Sequence, residues 1–417
     1  MSARTKNKKP RSLSALLALG GGLVIALTAF LPVVSEGLLS IDRGLGDDVL
    51  FKSGPIPRND LVFLGIDEDS LTLQGLDPDL ISNNETLSLM SPRFPWDRRV
   101  YANAIDKLLT AGARLVVLDL VLAEKSDPEA DQALADVIGR YSDRIILASA
   151  FAPLSVDGDG FMLVEPYSKF LEVQPPPKYG FVNFRPHPRD GLIREIHYSR
   201  TLSQENDQPP ISGESSYNSL AGAVLETLGK SYGKPGYEPR FSVKNDKTKA
   251  TEIYRPISIR SIFLNDDWER RYSSGNFFKN KIIIIGPASA RFQDTHQTPV
   301  GQLMGPQLHL QAIASGIRQT FVTRPNSEWR GSIFWSAMIG TIAAAALIYL
   351  VNRPIITLAC GGIAIALAYL AAFAIAHWFS TWIGPTPFAL SFALGTVSGQ
   401  TFDLIRERLE RSRLHHQ

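Results

Sequence analysis

The chain has 417 residues, with 43 Lys and Arg against 41 Asp and Glu and a net charge of +2. That balance leaves no basic field for nucleic acid. The single cysteine, Cys360, excludes a disulfide framework, so any folded domain relies on an ordinary hydrophobic core.

Residues 1–12 form a basic N-terminal segment containing Arg4, Lys6, Lys8, Lys9 and Arg11. Leu13 to Val34 then runs without a charge, long enough to cross a hydrocarbon core of roughly 30 Å as a helix. It exceeds the apolar core of a signal peptide, and no A-x-A-like cleavage site follows Leu31-Pro32, so it reads as a retained anchor. Residues 35–330 look like a folded domain.

Within that domain, Asp60 to Asp67 is a short apolar run ending in Gly and an acid, which reads as a buried strand followed by about 30 residues of loop. Asp97 opens a helical pattern with Tyr101, Ile105, Leu108 and Leu109 on one face and Gly112 as its stop. Leu115 to Asp119 is a second apolar strand. Strand, helix, strand with near-continuous apolar strands predicts parallel pairing with helices covering the sheet.

The pattern repeats. Asp127-Pro128 supplies an N-cap and a first-turn proline for a helix to about Gly139, and Arg144 to Ala148 reads as a strand. Gly180 to Asn183 and Asp190 to Arg194 read as a hairpin. Leu220 to Leu228 is a helix, Lys281 to Gly286 a central strand and Leu308 to Ile317 a closing helix. Pro175 to Pro177 and residues 231–251 read as surface loops. Three more apolar runs follow at 331–351, 355–379 and 382–402, with a tail at 403–417.

Four spans put both termini on the cytoplasmic side, because basic residues precede the first span and Arg406, Arg408, Arg411 and Arg413 follow the last. Residues 35–330 then lie outside. The expected setting is a multi-pass protein of a bacterial inner membrane. The tail helix is expected to run unbroken to about Leu414. Phe402, Ile405 and Leu409 lie at coiled-coil spacing and suit contact with a second copy or a partner.

The strand ends carry the chemistry. Ligands of parallel sheets bind beyond the carboxyl ends of the strands, so Asp67, Asp69, Asp119 and Asp294, the last following Gly286, are expected to line one crevice. The alternative for each is a cap on the next helix or turn. Arg98 and Arg99, in FPWDRR, either bind an anionic ligand or pair internally. The four acids also suit a hard cation. His187, His197, His296 and His309 are scattered without zinc spacing, and no P-loop, nucleophile elbow or dinucleotide fingerprint occurs.

Six segments in order, LGDDVLFK at 45–52, LGIDEDS at 64–70, PWDRRVYANAIDKLLTAGARLVVLDLVL at 95–122, GFVNFRPHPRDGLIR at 180–194, SLAGAVLE at 219–226 and NKIIIIGPASARFQDTHQTPVGQLMGPQLHLQAIAS at 280–315, resemble the CHASE2 domain. The resemblance implies a bacterial receptor module joined through a three-helix membrane segment to an adenylate or guanylate cyclase or a kinase. The chain stops about fifteen residues after its last apolar run, so the output is expected on another protein or the chain is a shortened member. The expectation is therefore a membrane-anchored sensor for an unknown small-molecule or protein stimulus, with no catalytic residues and no cofactor of its own. Two alternatives stay open: a scaffold that binds a partner, and a metal-assisted hydrolase built on the four acids.

Overall fold

The computed structural model describes residues 11–28, 30–52, 54–154, 160–209, 211–232, 237–242, 252–324, 330–351 and 353–415. The chain divides into a helical unit, residues 1–50 with 322–417, and an α/β unit, residues 51–321. In chain order the main elements are helices α1 (Arg11–Thr28) and α2 (Pro32–Lys52), strand β1 (Leu61–Ile66), α3 (Arg98–Thr110), β2 (Leu115–Leu118), α4 (Pro128–Arg140), β3 (Ile145–Pro153), β4 (Phe161–Val164) and β5 (Lys178–Phe181). They continue with α5 (Leu220–Thr227), β6 (Ile257–Ser258), β7 (Ile282–Pro287), the hairpin β8 (Thr295–Thr298) and β9 (Gly301–Met304), then α6 (Gly305–Arg318), α7 (Arg330–Leu350), α8 (Pro354–Phe379) and α9 (Thr386–His415).

The α/β unit is built on the expected parallel-rich sheet, in the order β4-β3-β2-β7-β1-β6, with β5 added to β3. Every pairing is parallel except β3 with β4. The central register aligns Leu61 with Ile282 and Ile282 with Leu115, so the strand-end residues Gly65 and Gly286 also face each other. Because the strands are buried on both faces they are apolar at every position. Val62, Leu64, Val116 and Ile283 pack in one core with the apolar faces of α3 and α4, and α6 packs on β1 and β7.

Local signals fix the helix ends. Asp97 caps α3 through the Arg99 amide, and Gly112, at φ +88°, takes the left-handed conformation that stops it. Asp127 caps α4 with Pro128 in its first turn. Two expectations need correction. The long loop after Asp67 holds three short helices, Glu68–Thr72, Pro78–Ser82 and Glu85–Met90, each started by a side-chain cap from Asp67, Asp77 or Asn84. The hairpin at 180–194 does not form: β5 joins β3 in parallel, and the Ile193 amide bonds to the Gln297 carbonyl on β8 instead.

In the helical unit the expectation of four self-sufficient spans is corrected. Among the described residues two helices, Gly331–Leu350 and Pro354–Phe379, are long and apolar enough to cross a membrane alone, or three if the bent pair α1–α2 counts as one. The first expected run breaks near Pro32, which opens α2 at 91° to α1. The last loses its first residues because Gly384-Pro385 lies outside the helix, leaving about 17 residues before Asp403, at the lower limit of spanning length and not apolar enough to cross alone. The helix itself does continue unbroken through the tail to His415.

These helices pack through small residues. A β-carbon at Gly22 would collide with Thr341, one at Gly340 with the Phe388 carbonyl and Ser391, and one at Gly399 with Ile348. Close backbone approach of this kind is how helices associate where lipid offers no hydrophobic drive. The polar groups Ser391, Thr396 and Gln400 of α9 are buried, whereas α8 exposes Ile355, Ile363, Leu367 and Leu370.

Candidate functional site

The strand-end residues do not converge as one crevice. Asp67 is committed as a cap: its Oδ1 accepts from the Ser70 amide at 3.0 Å, the Ser70 hydroxyl at 2.5 Å and the Ser258 hydroxyl at 2.8 Å. Asp69 is exposed, with Arg260 at 3.5 Å. Arg98 is a core residue: it pairs with Asp131 at 2.6 Å, and its guanidinium sits 5.2 Å from the Phe170 ring. That geometry ties α3 to α4. Arg99 turns back on Asp97 at 2.7 Å, and this bond holds the Asp97 carboxyl below its ordinary range.

Asp119 and Asp294 do come together, and they bring two histidines with them. Asp119 follows β2 and is buried beneath α6, where His309 Nε2 stands 4.0 Å from its Oδ2. Asp294 precedes β8 and bonds to His296 Nε2 at 3.0 Å. Glycines make the space. A β-carbon on Gly305 would collide with the Asp294 carboxylate, and one on Gly286 would lie 3.0 Å from Asp119 Cβ.

The electrostatics of this cluster are unusual for a fold interior. Burial, reinforced by the negative charge of Asp294, raises the Asp119 carboxyl well above the ordinary range. Burial pushes the His309 imidazole down to about 3, and its Nδ1 has no hydrogen-bond partner. The pair therefore favours its uncharged form, and a charge brought near it would be felt strongly in that low-dielectric setting. Among the described residues no three His, Cys, Asp or Glu side chains gather as metal ligands do.

Phe184 connects the cluster to a crevice. Its ring lies 4.6 Å from His309 and 5.1 Å from His296, and it also lines a polar cleft with Asn183, Arg185, His197, Arg200 and Glu205. Arg200 pairs with Glu205 at 3.0 Å, and Arg185 with Asp207 at 2.6 Å. Burial lowers both the His197 imidazole and the Arg200 guanidinium. The cleft encloses about 10 Å³, the space of roughly one water, so side chains must part to admit anything larger.

Sequence reasoning found Asp119 and Asp294 and missed His296, His309, Phe184, His197 and Arg200. Spacing along the chain does not join these histidines to the acids, because His309 is 190 positions from Asp119. The one available signal lay in two of the quoted segments, GFVNFRPHPRDGLIR and the run from 280 to 315, which supply Phe184 and three of the four cluster residues.

Residues 24–351 match the family model of the CHASE2 domain. No curated protein and no solved structure matches the chain.

Proposed function

The chain belongs to the CHASE2 family of extracytoplasmic sensory domains, and on that premise we propose that it is a membrane-anchored receptor whose α/β unit binds a stimulus and relays it through the helical unit. The site is the cleft behind Arg200 and Glu205, with the acid and histidine cluster behind Phe184 responding to what enters. In this reading α1 and the apolar half of α9 cross a bacterial inner membrane beside α7 and α8, their small and polar residues turned into the bundle. Both termini lie in the cytoplasm, and the α9 tail meets a second copy or a cyclase or kinase output module.

The observation that carries the relay is the attachment of the segment leaving the α/β unit. The Thr323 amide donates to the Ser380 carbonyl and the Trp382 amide to the Thr323 carbonyl, both at 2.9 Å, and the Thr323 and Thr381 hydroxyls are 2.8 Å apart. This short parallel bridge lies within the helical unit, between residues that follow the α/β unit in the chain and the turn just ahead of α9, the helix that carries the tail.

A spin label at Ile405, in the chain with Cys360 replaced by serine, tests the relay. Arg200→Ala, which releases Glu205, should change the label's mobility, and Thr323→Pro, which removes the amide donor of the bridge, should abolish that change. A label indifferent to Arg200→Ala would sink the proposal. Reporter fusions at Gly160 and at the C-terminus test the topology, which requires the first outside and the second inside.

A further inference from the structure

We propose that α2 is an interfacial helix whose exposed face rests in the outer leaflet of the membrane, where head groups meet the acyl chains. α1 packs alongside α7 and α9, and Pro32 opens α2 at 91° to α1, so α2 runs across the end of that bundle. Its inner face follows every fourth residue. Leu38 packs on Ile333 of α7, the Asp42 carboxylate accepts from the Thr386 amide at 3.2 Å and from the Thr386 hydroxyl at the start of α9, and a β-carbon on Gly46 would collide with the Trp382 ring.

The polarity of α2 is the reverse of a helix that faces water, which turns apolar residues inward and charges outward. Asp42, Arg43 and Asp47 are buried in the helical unit, where Arg324 pairs with Asp47. The stripe from Val33 through Gly37, Ser40 and Ile41 to Gly44 is exposed and uncharged. Val33 is 84 % exposed and Ile41 54 %. Apolar side chains turned out from inward charges fit an apolar neighbour, and interfacial helices bury such a face at the boundary of head groups and chains.

Exposed aromatic rings set the level. The ring of Phe30, at the bend into α2, lies 5.4 Å from Phe334 of α7, whose neighbour Trp335 is exposed. At the same end of the unit α8 finishes on the exposed Trp378 and Phe379, directly before the turn whose Trp382 abuts Gly46. Tryptophan collects where hydrocarbon gives way to head groups, so Trp335 and Trp378 place this end of the unit, and α2 with it, at that boundary. The chain passes from here into the α/β unit, which makes the leaflet the outer one in the topology proposed above. The inference rests on α7 and α8 crossing a bilayer and not on the cleft or the relay.

Nitroxide labels on single cysteines test it in the full chain carrying Cys360→Ser, reconstituted in vesicles of phosphatidylethanolamine and phosphatidylglycerol. The readout is the ratio of collisions with oxygen, which enters the bilayer, to collisions with a water-soluble nickel chelate. At Val33 and Ile41 the ratio should be about threefold above that at Glu129, exposed on α4, and below that at Leu367, exposed on α8. Labels at Val33 and Ile41 as open to the chelate as Glu129, with Leu367 shielded from it, would overturn the interfacial helix and leave the membrane reading standing. Chelate access at Leu367 would overturn both. A second copy covering the stripe would shield Ile41 from both reagents and broaden its spectrum until unlabelled chain is mixed in, and that result would overturn the lipid assignment.

Discussion

Asp67 and Asp119 each end an apolar parallel strand, β1 or β2, yet they live in opposite environments. Asp67 collects an amide and two hydroxyl donors, which satisfy its charge. Asp119 lies under α6 and faces a histidine that burial keeps neutral and the carboxylate of Asp294. A carboxylate with donors is a structural cap, and one without them is a group poised to change its charge. The difference is made by what packs over each strand end: the short helix after β1 supplies donors, whereas α6 supplies an imidazole.

The comparison can be broken most forcefully at a third buried acid. Asp131 is as buried as Asp119 but has Arg98. Arg98→Ala should leave it with only the Ser126 amide as a donor, uncompensated in charge, and cost about 3–5 kcal/mol, read from denaturant unfolding of the full chain in detergent. A cost below 1 kcal/mol would mean that burial without a partner is tolerated here, and the contrast between the strand ends would lose its force.

The next effect is in pH. A histidine whose folded pKa is depressed costs stability below its unfolded value, so His309 should weaken the fold as pH falls from about 6.5 toward about 3, by roughly 1.4 kcal/mol per pH unit. His309→Gln should flatten that acid limb. Asp119 acts in the other direction: with its folded pKa raised, its penalty is absent below about pH 4 and grows as pH rises toward the folded pKa. Asp119→Asn should therefore stabilise the protein at neutral pH by about 1–3 kcal/mol and change little at pH 3.5. A stability curve that the two variants leave superimposed on the parent would remove the cluster as a charge-responsive site.

The smallest change sharpens the comparison from its other end. Asp67→Ala removes one helix cap and the acceptor for Ser70 and Ser258, and should destabilise by about 1 kcal/mol. Asp67→Asn keeps an acceptor and should recover most of that loss.

Much of the fold was legible in the chain because its signals are local. LVFLGI and IIIIGP are apolar at every position, as strands buried on both faces must be, and Asp97 and Asp127 with Pro128 start helices within a residue of where they are read. The short caps Asp77 and Asn84 were there to be read as well, but helices of five or six residues leave no periodicity to support them. In the membrane segments, apolar length located α7 and α8 but overcounted the spans, because Pro32 and Gly384-Pro385 interrupt the helices inside apolar runs.

The sequence by itself determined the alternation of apolar strands and capped helices, the family, and the two helices that need no neighbour to cross a bilayer, all properties of contiguous residues. Only the tertiary structure decided which acids are functional candidates. Asp67 finds its cap locally in Ser70 and gains Ser258 from 191 positions away, whereas the neighbour of Asp119 is His309 on α6, 190 positions away. The same holds for the bridge of Thr323 to Thr381, whose two sides lie 58 positions apart.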